Sequence, residues 1–418
     1  MNQITPVKSK TINYILLYAL IAFVFFFPTS QNGIIMEGYS MGYTYLYYGI
    51  AVFLSVIYLL NNSVNKKRFI IALLSFTYLL FATFLSSINV GGVFSIARLI
   101  YIVVPLLILL TDDIARFRKS FILNILEMLT IIVVIWNSLL IAKNAAVMAF
   151  TKDNYSQFVS YTTSLFVDNG RPIFTFGIYS YGAFFYAALF MFWYVAFNES
   201  VGYARIRYNA YMIILIVFQI LLRGSTALFL GAYMLFIYLK TFGRNRSRFL
   251  LLPLFIIGGA YFIYIQNYDW TRLLIGNESN GFLSRYGFNL FEENYQALKD
   301  TVLGIGFTVV RKYSIDYTDS GYIVLLTMGN IFLPVSIYYC LFKKIKYNTP
   351  QKVYKYIFIL YMLFEFSLPG ILYTKMALFM AFIFMAIRNI VDDDSIAVCN
   401  ESKVSFVIRK KYTRGIRT

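Results

Sequence analysis

Twelve apolar runs of helical length follow one another along the chain, at roughly 12–28, 43–60, 69–88, 96–111, 121–142, 173–197, 210–222, 226–239, 249–266, 319–341, 356–371 and 376–391. The hydrocarbon core of a bilayer is crossed by about 20 apolar residues in helix. Lipid offers no hydrogen bonds to bare backbone, so a crossing segment must satisfy its own amides, as a helix does. The expectation is an all-α polytopic membrane protein of about twelve transmembrane helices, forming one integral membrane domain over 1–418. The chain is 60% hydrophobic and only 13% charged, against about 25% charged in ordinary soluble domains. The first run follows Lys8 and Lys10 without a small-x-small cleavage site, so it is read as a retained first helix.

Charge placement assigns sides. With the N-terminus in the cytoplasm, segments 1–11, 61–68, 112–120, 198–209, 240–248, 342–355 and 388–418 are cytoplasmic and hold 26 of the 37 Lys and Arg in 94 residues. The opposite loops, 29–42, 89–95, 143–172, 223–225, 267–318 and 372–375, hold 10 in 110 residues. That bias follows the positive-inside rule. It places both termini, including the tail 392–418, in the cytoplasm of a multi-pass protein.

The net charge of +18 is therefore a topology signal, not a nucleic-acid footprint, which would need a basic face on a folded domain. The densest basic patch, Arg409–Lys411 with Arg414 and Arg417, is a juxtamembrane tail suited to anionic lipid headgroups. The chain has no histidine and only two cysteines, Cys340 and Cys399. Zinc, haem, iron–sulfur and Ser-His-Asp chemistry are excluded, and neither a metal nor a cofactor is expected.

Two outer loops exceed ordinary connectors, 143–172 and 267–318, and long loops between packed elements often carry function. Within the second, Phe288, Phe291, Tyr295 and Leu298 repeat at the period of one helix face. This predicts an amphipathic helix over 285–300 lying on the outer membrane surface. The 37 tyrosines, such as Tyr43, Tyr45, Tyr47 and Tyr48 at a span start, fit interfacial belts, with some available to stack on sugar rings.

Charges inside or at the mouth of a span are costly and mark function or a buried pair. They are Arg98, Glu127, Arg223, Asp319 and Glu365. Glu127 lies near the cytoplasmic end of its span, where it can reach water. Glu365 is the deepest, beside Pro369 and Gly370, and either lines a cavity or pairs with an arginine. The outer-side arginines form a set: Arg171, Arg223, Arg272, Arg285 and Arg311. Guanidinium groups grip phosphate oxygens bidentately, so such a set suits a lipid-linked pyrophosphate. The alternative is surface pairing with Asp168, Glu278, Glu292 or Glu293. The Gly304-Ile305-Gly306 turn lacks the Lys-Ser/Thr of a phosphate loop.

The order Ser284-Arg285, helix to Asp300, Leu303-Gly304-Ile305-Gly306-Phe307, then Asp319-Ser320-Gly321-Tyr322 leading a span resembles the membrane family of O-antigen polymerases and O-antigen ligases. Arg171 and Gly182 are separated by ten residues, similar to the Arg-x10-Gly element of periplasmic loops in the polymerases, and Arg223-Gly224-Ser225-Thr226 resembles the family's arginine-bearing outer turn. No second Arg-x10-Gly copy occurs: Arg272, Arg285 and Arg311 are followed at that spacing by Leu283, Gln296 and Tyr322. Ligases of the family carry a histidine where this chain has Asp319, which favours the polymerase.

The resemblance implies a metal-independent glycosyltransferase that joins undecaprenyl-diphosphate-linked repeat units into O-antigen or a related surface polysaccharide. It implies a chain-length regulator and a flippase as partners, besides membrane lipids. Catalytic roles fall to Asp319, Arg285 and Arg171, and substrate binding to Arg98, Arg223, Arg311 and Glu365. With no histidine present, a carboxylate is the natural base for the acceptor hydroxyl, Asp319 first, with Asp168, Glu278 and Glu365 as alternatives. A flippase for the same lipid-linked sugars is the rival of another class.

Overall fold

A computed structural model describes residues 10–28, 41–155, 160–242, 289–310, 320–366 and 368–392. The expected span 249–266, the tail from 393, and Arg272, Arg285, Arg311 and Asp319 lie outside the described residues.

The fold is mostly helical. In chain order the helices are α1 (Lys10–Ile21, continued by a π-helical turn Ala22–Phe26), α2 (Met41–Asn61), α3 (Lys66–Asn89), α4 (Ile96–Leu109) and α5 (Lys119–Ile141). Then come α6 (Ala145–Tyr155), α7 (Ser160–Asp168), α8 (Tyr179–Asn198), α9 (Tyr203–Leu221) and α10 (Ser225–Phe242). The remainder are α11 (Asn289–Thr301), α12 (Gly321–Gly329), α13 (Phe332–Asn348), α14 (Tyr354–Glu365) and α15 (Thr374–Val391).

Among the described residues, α3, α5, α8, α9 and α15 are long and apolar enough to cross a membrane, and α1, α2, α4 and α10 contain shorter apolar helices. The segment 143–172, expected as a long outer loop, contains α6 and α7.

Burial separates centre from rim. Along α8 and α15 nearly every side chain is buried, because small and aromatic residues let neighbours close in on all sides. On α3, by contrast, Phe69, Ile70, Leu73, Leu74, Leu80, Phe81, Phe84 and Ile88 are exposed. A continuous exposed apolar stripe of this kind needs a covering partner, and a bilayer provides one.

Two short β-pairs mark the two ends of the bundle. At one end β1 (Ser63–Val64) pairs antiparallel with β3 (Thr111–Asp112). This basic end also gathers Arg68, Arg116 and Lys344, and Asn389 at the end of α15 accepts the Arg116 and Phe117 amides at 2.6 and 2.7 Å. At the opposite end β2 (Val93–Phe94) pairs with β4 (Thr308–Val309), tying the segment after α11 to the α3–α4 turn. Asn65 and Ser95 cap α3 and α4 through the Arg68 and Arg98 amides, as short polar N-cap side chains do.

Three expectations need correction. The run 319–341 is not one span: α12 and α13 fold back on each other at Asn330, whose φ is 49°. Tyr322 and Tyr338 pack with tilted rings, centroids 5.3 Å apart, whereas one straight helix would separate them by about 24 Å. The run expected from 173 becomes helical only at Tyr179, and its first six residues form a buried non-helical segment.

The third concerns the amphipathic helix. It exists as α11 and docks against α3 and α12, but Tyr295 on its expected apolar face is 58% exposed while Ala297 and Thr301 are buried. Its docking runs through the Gly304-Ile305-Gly306 turn. Ile305 and Gly306 donate to the Thr327 and Met328 carbonyls at 3.0 and 2.8 Å. Gly306 has φ 58° and sits against the Thr83 backbone, where a Cβ would collide. The amides that a phosphate loop would need are thus engaged inside the protein.

Candidate functional site

At the end marked by β2 and β4, the segment between α7 and α8 dips into the bundle. Residues 173–176 are Ile, Phe, Thr and Phe, all fully buried. Irregular backbone at such depth survives only where its polar groups find protein partners. Asn137 on α5 supplies them: its Oδ1 accepts the Phe174 amide at 3.1 Å, and its Nδ2 donates to the Tyr186 hydroxyl at 2.7 Å. Tyr186 in turn donates to the Pro172 carbonyl. Thr163 on α7 donates to the Gly177 carbonyl at 3.0 Å. Phe174 adopts φ 51°, which turns the chain sharply.

Beneath this segment lies Lys375, the second residue of α15, with 0% exposure. Its ammonium donates to the Thr175 carbonyl at 3.3 Å and approaches the Phe27 carbonyl at 3.5 Å. It faces the rings of Phe176 and Tyr155 at 4.9 and 5.7 Å, the cation–π geometry that helps hold a desolvated charge. No carboxylate reaches it among the described residues. The Thr175 hydroxyl beside it is buried without a hydrogen-bond partner. Sequence reading had placed Lys375 in a four-residue outer connector; a connector that short forces its last residue into the helix, which was the signal available.

Two of the expected arginines belong to segments that meet at Tyr179. Arg171 lies over the rings of Phe166 and Tyr179, 5.0 and 5.8 Å from their centroids. The Tyr179 ring also packs on Gly224, leaving no room there for a Cβ. Arg223, the neighbour of Gly224, closes the α9–α10 turn at φ 54°. One tyrosine thus links positions 171 and 223, which the sequence separates by a helical hairpin. Flanking this turn, Thr226 Oγ1 and Gln219 Oε1 are buried without hydrogen-bond partners. Gly182, the glycine of the Arg-x10-Gly spacing, is less constrained: an added Cβ would meet Ile173 and Leu222 atoms at 3.6–3.7 Å, ordinary contact.

The other expected residues stand apart. Arg98 is buried at the start of α4 and donates to the Thr308 carbonyl, bracing β4. Glu365, at the end of α14, is fully buried. Its carboxylate accepts the Ile371 amide at 2.7 Å and the Tyr338 hydroxyl at 3.3 Å, and Gly321 lies directly against it. The carboxylate therefore clasps the Pro369–Gly370 turn and the α12–α13 hairpin, and among the described residues no arginine pairs with it. Asp168 pairs with Lys152 at 2.6 Å rather than with an arginine. Glu127, expected to reach water, binds Arg207 at 3.0 Å and the Tyr211 hydroxyl at 2.7 Å.

The basic end holds a second buried polar cluster that the sequence reading missed. Lys344 and Asp113, both wholly buried, pair at 3.1 Å. Asp113 also accepts from Tyr58 and, at 2.6 Å, from Asn348, and Lys344 donates to the Thr111 carbonyl at 3.0 Å. Arg68 pairs with Asp112 and donates to the Leu109 carbonyl at 2.7 Å. Every charge there is matched, which marks the cluster as a clamp between α2, α13 and the α4–α5 turn.

The two ends therefore differ in chemistry. At the basic end Arg68–Asp112 and Lys344–Asp113 are paired ions. The opposite end carries Arg171 and Arg223 in segments that meet at Tyr179, and Lys375 with no carboxylate against it among the described residues, chemistry that favours an anion. Among the described residues no cluster of His, Cys, Asp or Glu could hold a metal ion. Comparison of the chain with protein-family models, with curated proteins and with solved structures returns no match.

Proposed function

We propose that this chain is a bacterial inner-membrane polymerase that joins undecaprenyl-diphosphate-linked oligosaccharide repeat units into O-antigen or a related surface polysaccharide, at the periplasmic face. The observation that carries the proposal is that Tyr179 joins the Arg171 and Arg223 segments, while Lys375 is buried against the Thr175 carbonyl of the segment between α7 and α8. Lysine and arginine are scarce on that side, and Arg171 and Lys375 flank the buried segment 172–177, Arg171 in sequence and Lys375 in contact. The sequence resemblance over 171–182, 223–226 and 284–330 supports the same reading.

The reaction is glycosyl transfer. The acceptor hydroxyl oxygen forms a bond to the anomeric carbon of the growing chain, the bond from that carbon to the lipid diphosphate breaks, and the hydroxyl proton passes to a base. The leaving diphosphate gains charge as the bond breaks, so preorganised cations lower the barrier without a metal. Arg171 and Arg223 fill this role, joined by Arg285 and Arg311, with Lys375 setting the potential from below. Asp319 is the proposed base. Glu365 is a weaker choice, because both of its oxygens are engaged in holding the loop.

A lipid-linked oligosaccharide flippase is the second reading, favoured by one observation: Lys375 is a charge buried within the bundle, as along a transport path. A glycan gel separates the two. A strain deleted for this protein should make lipid A-core bearing a single repeat unit, with the ladder restored by wild type and not by Arg171→Ala/Arg223→Ala. Bare core, with lipid-linked units accumulating on the cytoplasmic face, would select the flippase instead.

A further inference from the structure

At the basic end, far from Arg171 and Lys375, a cleft of about 550 Å³ opens between the start of α1 and the start of α5. Its polar side carries Asn13, Arg116 and Arg118, and no carboxylate lines it. Its other side is aromatic: Tyr14 meets Phe117 and Phe121 edge-on at 5.2 and 5.4 Å. One side thus suits an anion and the other a hydrocarbon or glycerol backbone.

The arginine corner is built rather than incidental. The Asn389 side-chain oxygen accepts the amides of both Arg116 and Phe117, and the Asn389 Nδ2 is itself held by the Met385 carbonyl at 2.7 Å. Arg116 is half-buried and donates to Asn13, so its direction into the cleft is fixed from α1. Burial draws the Arg116 guanidinium below the ordinary arginine value, against the pull of Asp113. Arg118 is exposed and belongs to no ion pair among the described residues. Two guanidinium groups and no acid leave a local charge of two to be matched.

We propose that this cleft binds the phosphate-bearing headgroup of an anionic phospholipid, with Arg116 and Arg118 gripping the phosphate and Tyr14, Phe117 and Phe121 covering the glycerol and upper acyl chain. Guanidinium groups suit phosphate because their paired N–H donors match its oxygens. The position suits a lipid because the cleft lies at the end of spanning helices, between helices, where headgroups sit. A soluble phosphate compound shares the anionic chemistry but would leave the aromatic wall without a partner.

The test uses the full chain in detergent, titrated with phosphatidylglycerol or with phosphatidylcholine of the same acyl chains, and counts retained lipid by native mass spectrometry. Wild type retains phosphatidylglycerol preferentially. Each arginine near a headgroup contributes on the order of 1 kcal/mol, so Arg118→Ala weakens retention about fivefold and Arg116→Ala/Arg118→Ala about thirtyfold. Millimolar inorganic phosphate leaves the lipid bound. Arg118→Ala touches no internal partner, so its result stands even if the double variant unfolds. Equal retention of the two lipids, unchanged retention by Arg118→Ala, or displacement by inorganic phosphate would each overturn the assignment.

Discussion

Tyr322 and Tyr338, sixteen positions apart, pack ring against ring with centroids 5.3 Å apart, and Tyr338 donates to Glu365. This contact turns one apolar run into a helical hairpin and sets Gly321, at the start of α12, against Glu365 at the end of α14. A cysteine pair at 322 and 338, in a Cys340→Ala/Cys399→Ser background, should crosslink with a short bisreactive reagent. A continuous helix holds these sites about 24 Å apart and would give none.

The two glycines singled out by motif behave oppositely. Gly182→Ala adds a methyl at ordinary contact distance within α8, so thermal stability should change by less than about 1 kcal/mol. Gly306→Ala forces a Cβ against Thr83 at φ 58° and should cost more than about 1 kcal/mol. Denaturant melts of the two purified variants make the comparison. If Gly182→Ala also retains activity, the Arg-x10-Gly spacing owes its importance to the arginine.

The Lys344–Asp113 pair should be the most sensitive point of the basic end. Removing one partner leaves a wholly buried charge unmatched, a loss of about 3–5 kcal/mol. Lys344→Met and Asp113→Asn should each lower the thermal midpoint of the protein in detergent sharply. The double variant should recover part of the loss, because neither charge is then stranded. Equal losses that simply add would mean that the two residues act independently.

Lys375 should show the opposite pattern. Its ammonium is buried with carbonyls and rings but no carboxylate, so Lys375→Met removes an uncompensated charge and should leave stability unchanged or raised by up to about 2 kcal/mol. Polymerisation should nevertheless fall by about 10²-fold, the scale seen when one preorganised donor is lost. Parallel melting and gel measurements on this variant separate the two effects.

Arg171 should not be replaceable by lysine. Its flat guanidinium stacks over Phe166 and Tyr179, and an ammonium has neither that plane nor the paired donors. Arg171→Ala and Arg171→Lys should both reduce chain extension by about 10²–10³-fold. Near-normal ladders from Arg171→Lys would point to a charge requirement alone.

Much of the helical fold was legible because apolar runs are local signals. The basic segments around Arg68, Arg116 and Lys344 do share one end. Hydropathy could not reveal the reversal at Asn330, since both arms of the hairpin are equally apolar. Nor could it reveal that Ile173–Phe176 is buried without being helical, because that depends on Asn137 and Tyr186 from other helices. At the candidate site, Arg171 and Arg223 were recognisable as arginines misplaced by topology. Lys375 was hidden by its assignment to a loop, and the Lys344–Asp113 pair by its lying among ordinary basic and acidic connectors.

The most direct test of the proposed activity is reconstitution. Purified full-length protein in liposomes, supplied with undecaprenyl-diphosphate-linked repeat units, should yield a ladder of longer lipid-linked glycans with matching release of undecaprenyl diphosphate. Arg171→Ala/Arg223→Ala protein should yield only the starting unit. If wild-type protein instead moves the units across the bilayer without lengthening them, the polymerase account is wrong.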